Sequence, residues 1–256
     1  MSEYFKNFKH GIHIEKAVFS DNEVEELKKR FYSVLDYCKE IREECGVESG
    51  MKNTVHHVLF LDEYFQKAIE TPKNIQNINK FFKDKKFILN SIGGNNNIDT
   101  NYANNIHRDV RFYTQDRLML NTIWCLSPIN IDTGGTEFMI DSEELEFKPS
   151  DDAFKNKSQT ISANPGDIIY FDSRIWHKAG TPIASISERI IFTPIFSKPF
   201  IKPGFNYSKA LQNTKNKQEP SEFIKQIASY YSDIPENHHD WYNFNKRFFY
   251  QKDQDI

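Results

Sequence analysis

Apolar residues near the start of the chain recur mostly at intervals of three and four. Val24, Leu27, Phe31, Val34 and Leu35 would share one face of a helix over residues 20–45. Ser20 followed by Glu23 has the form of a capping box, in which each side chain satisfies the other residue's backbone amide, and this sets the helix start. A second helical region is expected over residues 53–82, broken at Thr71-Pro72 because proline lacks an amide hydrogen and clashes inside a helix. From 87 to 196 the pattern changes. Short runs rich in Ile, Phe, Tyr and Thr (FILNSI, LMLNTIWCL, GTEFMI, DIIYFD, RIIFTPIF) are set apart by Gly, Asn, Asp and Pro clusters and read as strands and turns. Few helical segments interrupt them, which favours an antiparallel sandwich or barrel over βαβ units. The Asn-rich stretch 93–105 reads as a polar loop. Helical spacing returns after Pro203, with Phe223, Ile227 and Tyr230 and then Trp241, Phe244 and Phe248.

Composition narrows the classes. A chain of 256 residues allows one large domain or two small ones. Its 33 Lys and Arg against 36 Asp and Glu leave a net charge of −3, without the basic excess of a nucleic-acid binder. An aromatic content of 14% argues against disorder. No run approaches the roughly 18 apolar residues of a membrane span, and the N-terminal stretch lacks the apolar core of a secretory signal. Cys38, Cys45 and Cys125 are odd in number and match no zinc spacing, so free thiols in a reducing cytoplasm are expected. Cys125 lies in a mostly apolar run and reads as core.

The chemistry concentrates in two places. His107-Arg108-Asp109 puts an imidazole and a carboxylate on the same face of an extended segment. The buried strand Asp167-Ile168-Ile169-Tyr170-Phe171-Asp172 delivers Trp176-His177 at its far end. Two histidines and a carboxylate are the facial triad of a non-haem Fe(II) site. Asp109 and His177 are 177 − 109 = 68 positions apart, so they meet only if the intervening strands wrap into one barrel. Arg189, twelve residues after His177, opens the strand RIIFTPIF and shares a face with Ile191 and Thr193; an inward guanidinium there can hold a carboxylate bidentately. His56-His57 and His238-His239 are adjacent pairs whose neighbours point to opposite faces, which suits no metal.

The succession of these motifs resembles the phytanoyl-CoA dioxygenase-like family of Fe(II)/2-oxoglutarate oxygenases over roughly residues 5–200. Phe8-Lys9-His10-Gly11-Ile12-His13-Ile14 and Phe19-Ser20-Asp21-Asn22-Glu23-Val24 look like the family's opening strand and first helix. His107-Arg108-Asp109, Trp124, Gly134-Gly135, Gly166-Asp167, Asp172 through Gly180 and Arg189 follow in order. The resemblance implies an α+β, mainly β fold: a double-stranded β-helix (jelly-roll, cupin-like) core with helices packed outside. One domain over 1–256 would comprise a helical part at 1–85, the core at 86–200 and a helical segment at 201–256. His107, Asp109 and His177 would bind Fe(II), Arg189 would clamp the distal carboxylate of 2-oxoglutarate, and Trp124 stands where some relatives line the co-substrate pocket.

The implied reaction hydroxylates an unactivated C–H bond of a small molecule with O2, releasing succinate and CO2. Desaturation, cyclisation or epimerisation at the same iron site is the alternative, and a non-catalytic ligand-binding barrel is the alternative outside enzymology. Arg111, Tyr113, Arg117, Arg174 and Lys178 are candidates for the mouth, and the four basic groups among them suggest an anionic substrate. A monomer or homodimer is expected, with no nucleic-acid or membrane partner. Two features qualify the resemblance. Met139-Ile140-Asp141-Ser142-Glu143-Glu144 has no histidine where many relatives carry Gly-Ser-His, and the retained Asp109 disfavours halogenation.

Overall fold

The structure is a computed structural model that describes residues 5–47, 52–97, 103–183, 188–213 and 219–243. Its strands are β1 (Ile12–Glu15), β2 (Thr54–His56), β3 (Ile88–Ser91), β4 (Gly93–Asn96), β5 (Met119–Cys125), β6 (Glu137–Met139), β7 (Ser158–Thr160), β8 (Ile168–Asp172), β9 (His177–Lys178), β10 (Ile190–Phe192) and β11 (Ile195–Ser197). Its helices are α1 (Asp21–Glu44), α2 (Glu63–Ile69), α3 (Pro72–Phe82), α4 (Asp151–Lys157), α5 (Tyr207–Asn213), α6 (Glu222–Ile227) and α7 (His238–Trp241). Helices hold more residues than strands, but the strands build the interior.

The larger sheet runs β1-β8-β5-β10-β4-β2, with β11 bridging β5 and β3; the smaller one runs β7-β6-β9. Every pairing is antiparallel. The period-two alternation of strands sorts side chains into two cores. Ile123, Cys125, Ile169, Phe171 and Ile191 point between the sheets and meet Phe138 from β6. Leu120, Trp124, Ile168, Tyr170, Ile190 and Phe192 point the other way, into a core shared with Val24, Leu27 and Phe31 of α1 and Ile78 and Phe81 of α3. This double cover produces the jelly-roll core with outer helices.

Local signals explain the helix ends. Ser20 and Glu23 form the expected box, with the Ser20 amide donating to the Glu23 carboxylate at 2.8 Å. Pro72 opens α3 at its first turn, where a missing amide hydrogen costs nothing. Two readings are corrected. Residues 54–56 form β2 rather than helix, paired with β4. Residues 93–96 of the supposed polar loop form β4, an interior strand between β10 and β2. Glycine permits this close approach: a Cβ on Gly93 would stand 2.8 Å from the Val55 carbonyl oxygen, and one on Gly94 2.8 Å from that of Ile191. At the C-terminal side Ile227 is buried and Phe223 packs against the core, but Trp241 is half exposed. Phe244 and Phe248 lie outside the described residues. No helix among the described residues is long and apolar enough to cross a membrane.

Candidate metal centre and its cavity

His107 and His177 face each other as an antiparallel backbone pair. The His107 amide donates to the His177 carbonyl at 2.9 Å and the reverse bond is 2.8 Å, so both imidazoles leave the same face with ring centroids 4.3 Å apart. Asp109 is fixed separately, its amide donating to the Ser173 carbonyl at 3.0 Å in the turn after β8. The Asp109 carboxylate stands 3.9 Å from His107 Nε2 and 3.6 Å from His177 Nε2, and one ligand atom from each of the three residues lies within 4.8 Å of the others.

Hydrogen bonds set the protonation these groups need. Nδ1 of His107 lies 2.7 Å from the Asn105 carbonyl oxygen, and Nδ1 of His177 lies 2.9 Å from that of Ile175. A carbonyl only accepts, so each Nδ1 carries the hydrogen and each Nε2 offers a lone pair towards Asp109. Burial, opposed by the neighbouring Asp109 charge, pushes the His177 imidazole below its ordinary value and keeps it neutral. On the other side of Asp109, Asn121 Nδ2 donates to Oδ2, and Ser173 Oγ donates to Asn121 Oδ1 at 2.6 Å. Two imidazole nitrogens and one supported carboxylate suit a divalent first-row metal with positions left open.

The three residues open on a cavity of about 130 Å³ that Arg189, Ile191, Thr193, Asn95, Asn121 and Phe171 also line. Arg189 is 4% exposed. Its Nη1 donates to the Gly134 carbonyl, while its Nε has no hydrogen-bond partner among the described residues. Glu188, the nearest acid in sequence, accepts instead from Tyr32 and from Asn96. Burial without a counter-charge lowers the Arg189 pKa to about 10. A buried cation short of an anion, in one cavity with a His-Asp-His group, fits a carboxylate ligand that reaches that group.

Other candidates fall elsewhere. Trp124 is fully buried on the helix side of β5, edge-on to Phe19 at 5.2 Å, and does not line the cavity; its neighbour Ile123 does. Arg174 is withdrawn from the mouth. It forks onto Asp172 at 2.9 and 2.8 Å and donates to the Thr114 and Gln115 carbonyls, which ties down the 111–117 loop. Arg117 stands 3.7 Å from Asp172 and over the Phe81 ring, and Lys178 pairs with Glu137 on the outer side of β9. Arg111 and Tyr113 remain exposed beyond the His107-x-Asp109 motif, with Arg111 near enough to oppose His177 protonation. Asn95, Asn121 and Ser173 carry no sequence signal of their own; only the strand register brings them to the site.

Comparison with known proteins gives the family and the fold. The phytanoyl-CoA dioxygenase (PhyH) family profile matches residues 9–187, which include His107, Asp109 and His177. The chain is 22% identical over 253 residues to the uncharacterized protein Rv1501 of Mycobacterium tuberculosis, covering 95% of this chain and 92% of that one. It is 23% identical over 226 residues to dioxygenase af480 of Aspergillus fumigatus, covering 79% and 69%. In fold it is similar to the crystal structure of HygX from Streptomyces hygroscopicus with nickel and 2-oxoglutarate bound, at TM-score 0.58 and 10% identity over 79% of this chain and 88% of HygX. The chain belongs to the phytanoyl-CoA dioxygenase family of Fe(II)/2-oxoglutarate oxygenases.

Proposed function

We propose that this protein hydroxylates an unactivated C–H bond of a small molecule, with His107, Asp109 and His177 holding Fe(II) and Arg189 receiving the distal carboxylate of 2-oxoglutarate. The observation that carries the reading is the buried, underpartnered Arg189 guanidinium in the same cavity as the His-Asp-His group. Iron, 2-oxoglutarate and O2 supply the oxidising chemistry when bound, with succinate and CO2 as by-products. The chain's own share is positioning. Carbonyl contacts at the two Nδ1 atoms fix the histidine tautomers, Asn121 orients Asp109, and Phe171 and Ile191 wall the cavity against water.

Arg111 at the rim supports an anionic group on the substrate, a narrower basis than four basic residues would give. The free thiols of Cys38, Cys45 and Cys125 support a reducing, cytoplasmic setting, and the proposal includes one domain over residues 1–256 acting as a monomer or homodimer.

Anaerobic addition of Fe(II) and then 2-oxoglutarate tests the iron reading. The wild type is expected to develop a weak visible charge-transfer band that His107→Ala lacks. No band in the wild type, or a band retained in His107→Ala, would overturn it. Product mass then separates hydroxylation from desaturation, cyclisation or epimerisation.

A further inference from the structure

A second pocket of about 60 Å³ adjoins the cavity, lined by His56, His57, Ser91 and Gly93. The two spaces share Asn95, Thr193 and Ile195 as a common wall. Asn95 pairs across β4 and β10 with Ile191, and residues directly opposite in an antiparallel pair project to one face, so Asn95 points inward with Ile191. Asn95 is 8% exposed, and its Oδ1 is buried without a hydrogen-bond partner. A buried amide left unpaired is costly, and a ligand that supplies the partner removes the cost.

The register says which ligand. Running from β10 into β11, Arg189 comes first, then Ile191 opposite Asn95, then Thr193, whose amide donates to the Gly93 carbonyl at 2.7 Å, then Ile195 opposite Asn121. Six residues of extended chain span about 20 Å. The second pocket therefore lies at the Ile195 end, where Asn121 holds Asp109, and not at the Arg189 end reserved for the co-substrate carboxylate. Among the described residues, no Asp, Glu, Lys or Arg lines it. Its two histidines are polar but neutral, because burial pushes both below their ordinary value. His57 is also fixed in place, its Nδ1 2.9 Å from the Tyr207 hydroxyl.

We infer that Asn95 and the pocket behind it form a subsite for the primary substrate, receiving an uncharged hydrogen-bonding group such as a carboxamide or hydroxyl beside the carbon that is oxidised. The inference rests on the iron reading above. An anionic group elsewhere on the same substrate would meet Arg111 at the rim.

The test uses protein loaded with Co(II) and 2-oxoglutarate, with Zn(II) as the diamagnetic control, and the probes acetamide, ethylammonium and methanesulfonate, a weakly coordinating anion. Cobalt should enhance the proton relaxation of acetamide above that of both charged probes. Asn95→Leu removes the hydrogen bonds at similar volume and should weaken acetamide binding about threefold to tenfold while keeping the cobalt–2-oxoglutarate absorption. Asn95→Asp keeps the shape and adds charge, so it should shift the preference to ethylammonium, a gain that a misfolded variant could not show. Acetamide relaxation unchanged in Asn95→Leu, or methanesulfonate preferred by the wild type, overturns the subsite. Loss of the cobalt–2-oxoglutarate absorption in Asn95→Leu assigns Asn95 to the co-substrate and overturns it too. Absence of that absorption in the wild type shows instead that the iron reading has failed, and the subsite with it.

Discussion

Asn121 holds Asp109: its amide nitrogen donates to the carboxylate, and its own oxygen is held by Ser173 Oγ at 2.6 Å. Without Asn121, Asp109 keeps its backbone anchor but loses the bond that aims its oxygens. Asn121→Ala should weaken divalent metal binding about 10- to 100-fold, and Ser173→Ala, acting through Asn121, by less. A Co(II) titration followed by visible absorption measures this. Wild-type affinity in Asn121→Ala would show that the Asp109 amide bond to the Ser173 carbonyl suffices.

Arg189→Lys keeps a positive charge but loses the planar fork that matches a carboxylate. Weakening a buried, hydrogen-bonded charge pair costs about 2 kcal/mol or more, which is about 30-fold in the KM for 2-oxoglutarate. The metal affinity should hold, because Arg189 makes no hydrogen bond or ion pair to the three side chains proposed to hold the metal. In the wild type, 2-oxoglutarate with metal should raise the melting temperature by supplying the anion that the guanidinium lacks. An unchanged KM in Arg189→Lys would place the co-substrate elsewhere.

Trp124 separates packing from binding. It is fully buried among Phe19, Phe192 and the outer helices, and its Nε1 has no partner to lose. Trp124→Ala should destabilise by about 3–5 kcal/mol, as large-to-small changes in a closed core do. Trp124→Phe should be milder and leave the KM for 2-oxoglutarate unchanged. Denaturant melts and steady-state kinetics on the two variants measure both effects, and a raised KM in Trp124→Phe would return this residue to the co-substrate pocket.

Stability should fall in acid. His13, His56 and His57 are each held below 6.5, chiefly by burial. Between the lowered native value and 6.5 the unfolded chain binds more protons than the native one, so this contribution is complete above 6.5 and declines as the pH drops through that window. A fully buried group contributes at most about 1.4 kcal/mol per pH unit, and half-buried His57 contributes less. Melting temperatures of metal-free protein from pH 8 to pH 5 measure this. A melting temperature that stays level or rises on acidification would contradict it.

Much of the molecule is legible in its sequence because some residues have few alternatives. The pair Ser20 and Glu23 fixes a helix start, Pro72 a helix entry, and a His-x-Asp followed by a buried strand and then His177 a narrow range of chemistry. What escapes depends on partners far along the chain. β4 is Gly-Gly-Asn-Asn, without apolar alternation, and becomes a strand because β10 and β2 close on it. In β5 the sheet is covered on both faces, so Ile123 and Trp124 are both apolar and parity alone cannot say which faces the cavity. Arg174 resembles any basic residue beside a site until its fork onto Asp172 and the loop carbonyls is seen.

The backbone rung between His107 and His177 has a consequence for how such a protein can change. The spacing of the two imidazoles is inherited from a β-bridge onto β9, so it is set by a backbone pairing. Ala103, Thr136 and Ala179 line the cavity outside the His-Asp-His group. These side chains can change, and with them what the cavity accepts, while the spacing of the two imidazoles stays fixed. One scaffold can thus meet successive substrates by revising its edges around a fixed interior.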